Sequence, residues 1–201
     1  MFELFHKGGP IMWPILILSI VTLGVVLERV IFIVRETKRR DKGVVHRIFE
    51  AVQHGKFDEA LTAGRGSSDM IARVLTEGLQ HRESSLDDAL LEAASRELDE
   101  YNRGLVVLDT AVTLGPLLGL LGTVVGMIRA FGVVGGGDLA EKQQVITGGI
   151  AESLLAVSFG LIVAIVAILP LNYFSAKLEQ VRRQIEGSMN QLTILLRKKT
   201  R

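Results

Sequence analysis

Two side chains in this sequence combine polarity with an awkward position: Thr123 and Glu152. Each falls in a long apolar stretch, LGPLLGLLGTVVGMIRAF at 114–131 and GGIAESLLAVSFGLIVAIVAILP at 148–170. A hydroxyl there can give or take a hydrogen bond, and a carboxylate can hold a proton or a cation. A carboxylate in a bilayer costs roughly 2.5–3.5 kcal/mol on insertion scales, so such groups generally face a cavity or a partner. Plainer roles exist for both. A membrane threonine often bonds the carbonyl one turn back. A glutamate in the first turn of a helix complements the helix dipole. Other chemistry finds little support. There is no cysteine, hence no disulfide and no thiolate metal site. His6, His46, His54 and His81 are scattered without metal-ligand spacing. Gly135-Gly136-Gly137 is not followed by the Gly-Lys-Ser/Thr of a phosphate loop. The expectation is a chain that is not an enzyme and needs no cofactor and no metal.

The elements that hold Thr123 and Glu152 are legible in the patterning. Hydrophobic residues make up 48% of the 201 and charged residues 22%, and the charges are unevenly placed, so the chain should alternate between lipid-buried and water-exposed parts. Three apolar runs are long enough to cross a ~30 Å hydrocarbon core. The first, 11–34, is too long for a cleaved signal and reads as a retained anchor. Trp13 suits an interfacial belt and Pro14 a first helical turn. Arg35, Lys38, Arg39, Arg40, Lys42 and Arg47 follow at once. This basic cluster sits beside a membrane end, so the positive-inside rule puts it in the cytoplasm, the N-terminus outside and the C-terminus inside. It reads as a topology anchor touching membrane lipids; without interleaved aromatics it does not suggest nucleic acid.

These cues give an all-α membrane protein with three transmembrane helices, N-out and C-in, and long helices extending into the cytoplasm. The expected parts are an external amphipathic lead (1–10), a first transmembrane helix (11–34), a cytoplasmic helical insert (35–104), a second transmembrane helix (105–131), a short external loop (132–147), a third transmembrane helix (148–174) and a cytoplasmic C-terminal helix (175–201). Phe2, Leu4 and Phe5 of the lead suit the interface. Within the insert, Val44, Val45, Ile48, Phe49 and Val52 repeat at helical spacing. Ser67 or Ser68 is the expected cap of a later helix, and Ser85 with Asp88 resembles a capping box. From Leu86 to Leu114 the only breaker is Gly104, so one unhinged helix is expected to run from the insert into the membrane.

In lipid, small residues let helices approach and gain dispersion contacts. Gly115, Gly119, Gly122 and Gly126 line one face of the second span, and Glu152, Ala156, Gly160, Ala164 and Ala167 line one face of the third. The two helices should therefore pair closely. No carboxylate lies at mid-span: Glu152 is near the outer end and Asp109 near the inner one. The chain alone thus lacks a mid-membrane proton carrier, and a second protein would have to supply one.

At these residues a family resemblance becomes specific. GPLLGLLGTVVGMIRAF and GGIAESLLAVSFGLIVAI are similar to the core of the ExbB/TolQ branch of the MotA/TolQ/ExbB proton-channel family. FHKGGPIMWPILILSIVTLGVVLER resembles its first helix, including Glu28-Arg29 at the inner end. The resemblance implies a homopentamer around a central pore in the bacterial inner membrane. It implies second and third helices lining that pore, and a partner of the ExbD/TolR type whose single transmembrane helix carries an ionisable Asp. Residue by residue it matches Thr123 to the family's pore threonine and Glu152 to its pore glutamate. The family's second threonine is replaced by Val157, with Ser158 beside it. One half of the polar ring is thereby weakened, which favours H⁺ over Na⁺ as the conducted ion. The competing expectation is a scaffold that recruits cytoplasmic proteins and conducts nothing. A solute permease is disfavoured by the lack of repeats and of broken helices.

Overall fold

The computed structural model describes residues 8–132 and 139–199. Among the described residues every regular element is an α-helix: α1 Met12–Arg39, α2 Lys42–His54, α3 Phe57–Gly64, α4 Met70–Gln80, α5 Leu86–Asn102, α6 Leu105–Gly132 and α7 Leu139–Lys199. Three helices are long and apolar enough to cross a membrane, and the chain is a multi-pass membrane protein. Phe2, Leu4 and Phe5 lie outside the described residues.

Local chemistry sets the helix ends. Gly9, at φ +71°, turns the chain into α1, and its carbonyl accepts from the Met12 amide at 3.2 Å. Pro14 sits in the first turn, where the missing N–H costs nothing. The Asp41 carboxylate caps α2 by accepting from the Gly43 and Val44 amides, and Gly55 ends that helix in the left-handed conformation. Two expected caps differ. Asp69, not Ser67 or Ser68, caps α4, accepting from the Ile71 and Ala72 amides. A carboxylate is the stronger acceptor, and the Ser67 hydroxyl instead receives the Asp69 amide at 3.2 Å. Ser85 does stand at the start of α5, but its side chain makes no capping bond.

Two further expectations are corrected. The unhinged helix from Leu86 onward is broken: α5 ends at Asn102, Arg103 is extended, and Gly104 turns left-handed at φ +82° before α6 starts. A β-carbon on Gly104 would lie 3.0 Å from Val25 Cγ1 and 3.4 Å from Arg29 Cδ. The site therefore needs glycine for both conformation and space. The 132–147 stretch is a loop only in part, because α7 begins at Leu139. α7 then continues through the apolar run and the polar C-terminal segment as one helix of 61 residues.

The chain divides into two compact units. The first holds residues up to 29 and 104–173. Here α6 and α7 run antiparallel: Gly115 meets Gly160, and Gly126 meets Gly149. Ile15 of α1 is buried with Ala156 and Val163 of α7, flanked by Leu18, Leu118 and Phe159. Leu117, Leu120, Val124 and Ile128 of α6 and Leu154, Ile162, Ile165 and Leu169 of α7 stay exposed, an apolar exterior suited to lipid or neighbouring membrane helices.

The second unit holds 30–103 and 174–201. Its core joins Ile48 and Val52 of α2, Leu75 and Leu79 of α4 and Leu90 of α5 to Val181, Ile185 and Leu192 of α7. The amphipathic stripes of the insert and of the C-terminal helix thus share one core. Phe32 meets Tyr101 edge-on at 5.0 Å. Arg73 of α4 grips Glu97 of α5 through two hydrogen bonds, at 2.8 and 2.5 Å. Asp69, fully buried, accepts the Asp41 amide at 2.8 Å and pairs with Arg40 at 3.3 Å, tying the α1–α2 connection to the start of α4.

Candidate functional site

The paired helices α6 and α7 make the frame. The glycines of α6 occur where backbone meets backbone. A β-carbon on Gly115 would lie 3.3 Å from Ala164 Cβ and crowd the Gly160 carbonyl; one on Gly119 would lie 2.9 Å from Val157 Cα and 3.2 Å from the Ala156 carbonyl oxygen. Gly122 faces the Ala156 methyl, and Gly126 faces the Ser153 hydroxyl and the Gly149 carbonyl. Ala156 is fully buried, and Gly160 packs back on Gly115 and Gly119. At such distances each added methyl must displace main chain, so the stripe sets the spacing of the pair.

Polar groups sit on this frame in three ways. Thr123 is half-buried, and its hydroxyl donates to the Leu120 carbonyl at 2.6 Å. Ser158 is exposed on α7 and donates to the Leu154 carbonyl at 2.8 Å. Both hydroxyl protons are spent within their own helices, which leaves oxygen lone pairs as the groups on offer. Val157 lies with its main chain against Gly119, one position from the exposed face that carries Ser158.

Glu152 is the ionisable member. Its helix starts at Leu139, so it lies roughly three and a half turns inside α7. The first-turn dipole role expected for it is thereby removed, because that effect fades within one turn. Its side chain is only 16% exposed, and Oε1 accepts from Arg129 Nη1 of α6 at 2.9 Å. The same oxygen lies against Gly9, in the space that a β-carbon there would occupy.

The structure thus brings Glu152 to Arg129 and Gly9, while the Thr123 and Ser158 hydroxyls bond within their own helices. Three participants escaped the sequence reading. Ser153 is buried and donates to Gly149 O at 2.8 Å and across the pair to Thr123 O at 3.3 Å. Arg129 and Gly9 make up the surroundings of Glu152. The register alone does not point to Arg129: Gly126 lies opposite Gly149 and Ser153, so Arg129, one turn on, lies past the level of Glu152 and reaches it through the length of its side chain. Thr22 of α1 is also buried, its hydroxyl bonded to Leu18 O at 2.7 Å. Among the described residues no group of His, Cys, Asp and Glu could hold a metal ion.

A family model described as the MotA/TolQ/ExbB proton channel family matches 67–187. A relative named putative biopolymer transport protein ExbB-like 1, from Synechocystis, is 34% identical, with 90% of this chain and 78% of that protein covered. The biopolymer transport protein ExbB of Xanthomonas campestris pv. campestris is 32% identical over 126 residues, 63% of this chain and 45% of that protein. The Tol-Pal system protein TolQ of Haemophilus influenzae is 32% identical over 104 residues, 52% of this chain and 45% of that protein.

Proposed function

The chain belongs to the MotA/TolQ/ExbB proton channel family, and from that premise we propose that it is the multi-span subunit of an ExbB/TolQ-like motor in the bacterial inner membrane. Five copies surround a pore walled by α6 and α7, with the N-terminus outside. A partner with a single transmembrane helix supplies the carboxylate at mid-membrane that this chain lacks. Protons moving down their gradient drive the partner, which delivers work to transport or to the envelope. One charge falling through 100 mV releases about 2.3 kcal/mol, enough for a few protons to shift a packed helix.

The observation that carries this reading is Glu152. An ionisable carboxylate is held largely buried on a pair of apolar helices whose spacing is fixed by glycine. Such a group is costly and is retained where charge must be handled. Thr123 and Ser158 add hydroxyl oxygens. Val157 leaves them too sparse to strip the water from Na⁺, whereas a proton needs only carboxylates and water. The test is flux into liposomes that hold the chain and its single-span partner. The expected flux follows a pH gradient without Na⁺ and falls at least about tenfold in Glu152→Gln. Flux that requires Na⁺ and ignores the pH gradient contradicts the proton assignment. A scaffold that conducts nothing predicts full cellular function in the Thr123→Val, Glu152→Gln double variant.

A further inference from the structure

We propose that Arg129 and Gly9 form a latch that holds the Glu152 carboxylate inside its own subunit, and that opening this latch gives the ion path access to it. The inference rests on the reading that Glu152 belongs to that path.

Glu152 sits between exposed neighbours. Ala151 and Leu154 on α7 are exposed, as is Ser158 further along, yet the Glu152 side chain turns inward. Two contacts hold it. The Arg129 guanidinium donates to Oε1 at 2.9 Å from the facing helix. The Gly9 main chain closes on the same oxygen from the turn that starts α1. Gly9 meets both demands of that place: its φ of +71° disfavours other residues, and any side chain would collide with the carboxylate. Three segments distant in sequence therefore converge on one oxygen atom.

The packing of the pair does not need this arrangement, because the glycine stripe and the Ser153 bridge already join α6 to α7. Arg129 sits in the last turn of α6, where its charge also suits the helix dipole, and its guanidinium turns to Glu152 on the facing helix. Arg129 is about half exposed, and ion pairs open on one side are weak enough to part and re-form. The latch is thus strong enough to place the carboxylate and weak enough to release it. Arg129 is here a positioning residue: it acts through Glu152.

The test uses the full chain in liposomes and dicyclohexylcarbodiimide, an apolar reagent that adds to accessible carboxyl groups, with the adduct at Glu152 quantified by mass spectrometry. Arg129→Gln is expected to raise the labelling rate about tenfold, the equivalent of one charge-assisted hydrogen bond. Arg129→Lys keeps the cation and should stay near the parental rate. Gly9→Ala fills the carboxylate's place with Arg129 intact and should also label faster. A parental rate in Arg129→Gln or in Gly9→Ala overturns the latch, as does Arg129→Lys labelling as fast as Arg129→Gln. Failure of the wider reading would look different: labelling would follow this pattern while Glu152→Gln left proton flux unchanged.

Discussion

Asp69 shows how one buried carboxylate orders a helical insert. It takes three main-chain amides, from Asp41, Ile71 and Ala72, and the Arg40 guanidinium. Replacing it with Ala strands those donors in the core. Asp69→Ala should therefore lower stability by about 3 kcal/mol or more, measured by denaturant unfolding in detergent, with Asp69→Asn losing less because it still caps α4. Tyr101 gives a pH test in the same unit. Burial, reinforced by the negative charge of Glu36, pushes its phenol up to about 12. A value raised above the ~10 of an unfolded chain favours the protonated, folded form. The contribution is intact below pH 10 and is lost as pH climbs through about 12. The difference in phenolate absorbance between parent and Tyr101→Phe should rise near that upper value, and Tyr101→Phe should lose less stability between the two. A rise centred near 10 would contradict the burial account.

Helix-scale behaviour turns on which glycines are packed. Gly119 lies against the backbone of α7, whereas Gly187 is exposed with open space around its Cα. The same change should then have opposite signs. Gly119→Ala must push α6 from α7, at a cost of about 1–3 kcal/mol. Gly187→Ala gains helix propensity and should stabilise by about 0.5–1 kcal/mol. Thermal unfolding of the two variants side by side checks the pair. A similar contrast explains what could be read from the sequence. The 3.6-residue stripes of the insert and the small-residue faces of the two spans were legible because period and residue size are properties of one helix. The break at Arg103-Gly104 was not, since Gly104 has weak breaking power alone; its conformation is tied to the close approach of Val25 and Arg29. The start of α7 at Leu139 is hidden for a related reason: a polar run after three glycines has no helical stripe of its own, and it is helical as the lead into the long helix behind it.

At the scale of the molecule, the sequence carried the three spans, the pairing face and the two polar groups. It did not carry the environment of Glu152, because that environment is assembled from Gly9, Arg129 and Glu152 on three separate segments. The family match covers 67–187, so the first span and the Gly9 turn fall outside the matched region. Glu152 is proposed to handle protons for an energy-transducing complex. The most direct test is proton flux through liposomes containing the full chain and its single-span partner, comparing parent with Glu152→Gln under an imposed pH gradient and no Na⁺. Flux is expected in the parent, with a loss of at least about tenfold in the variant. Equal flux in the two would contradict that role.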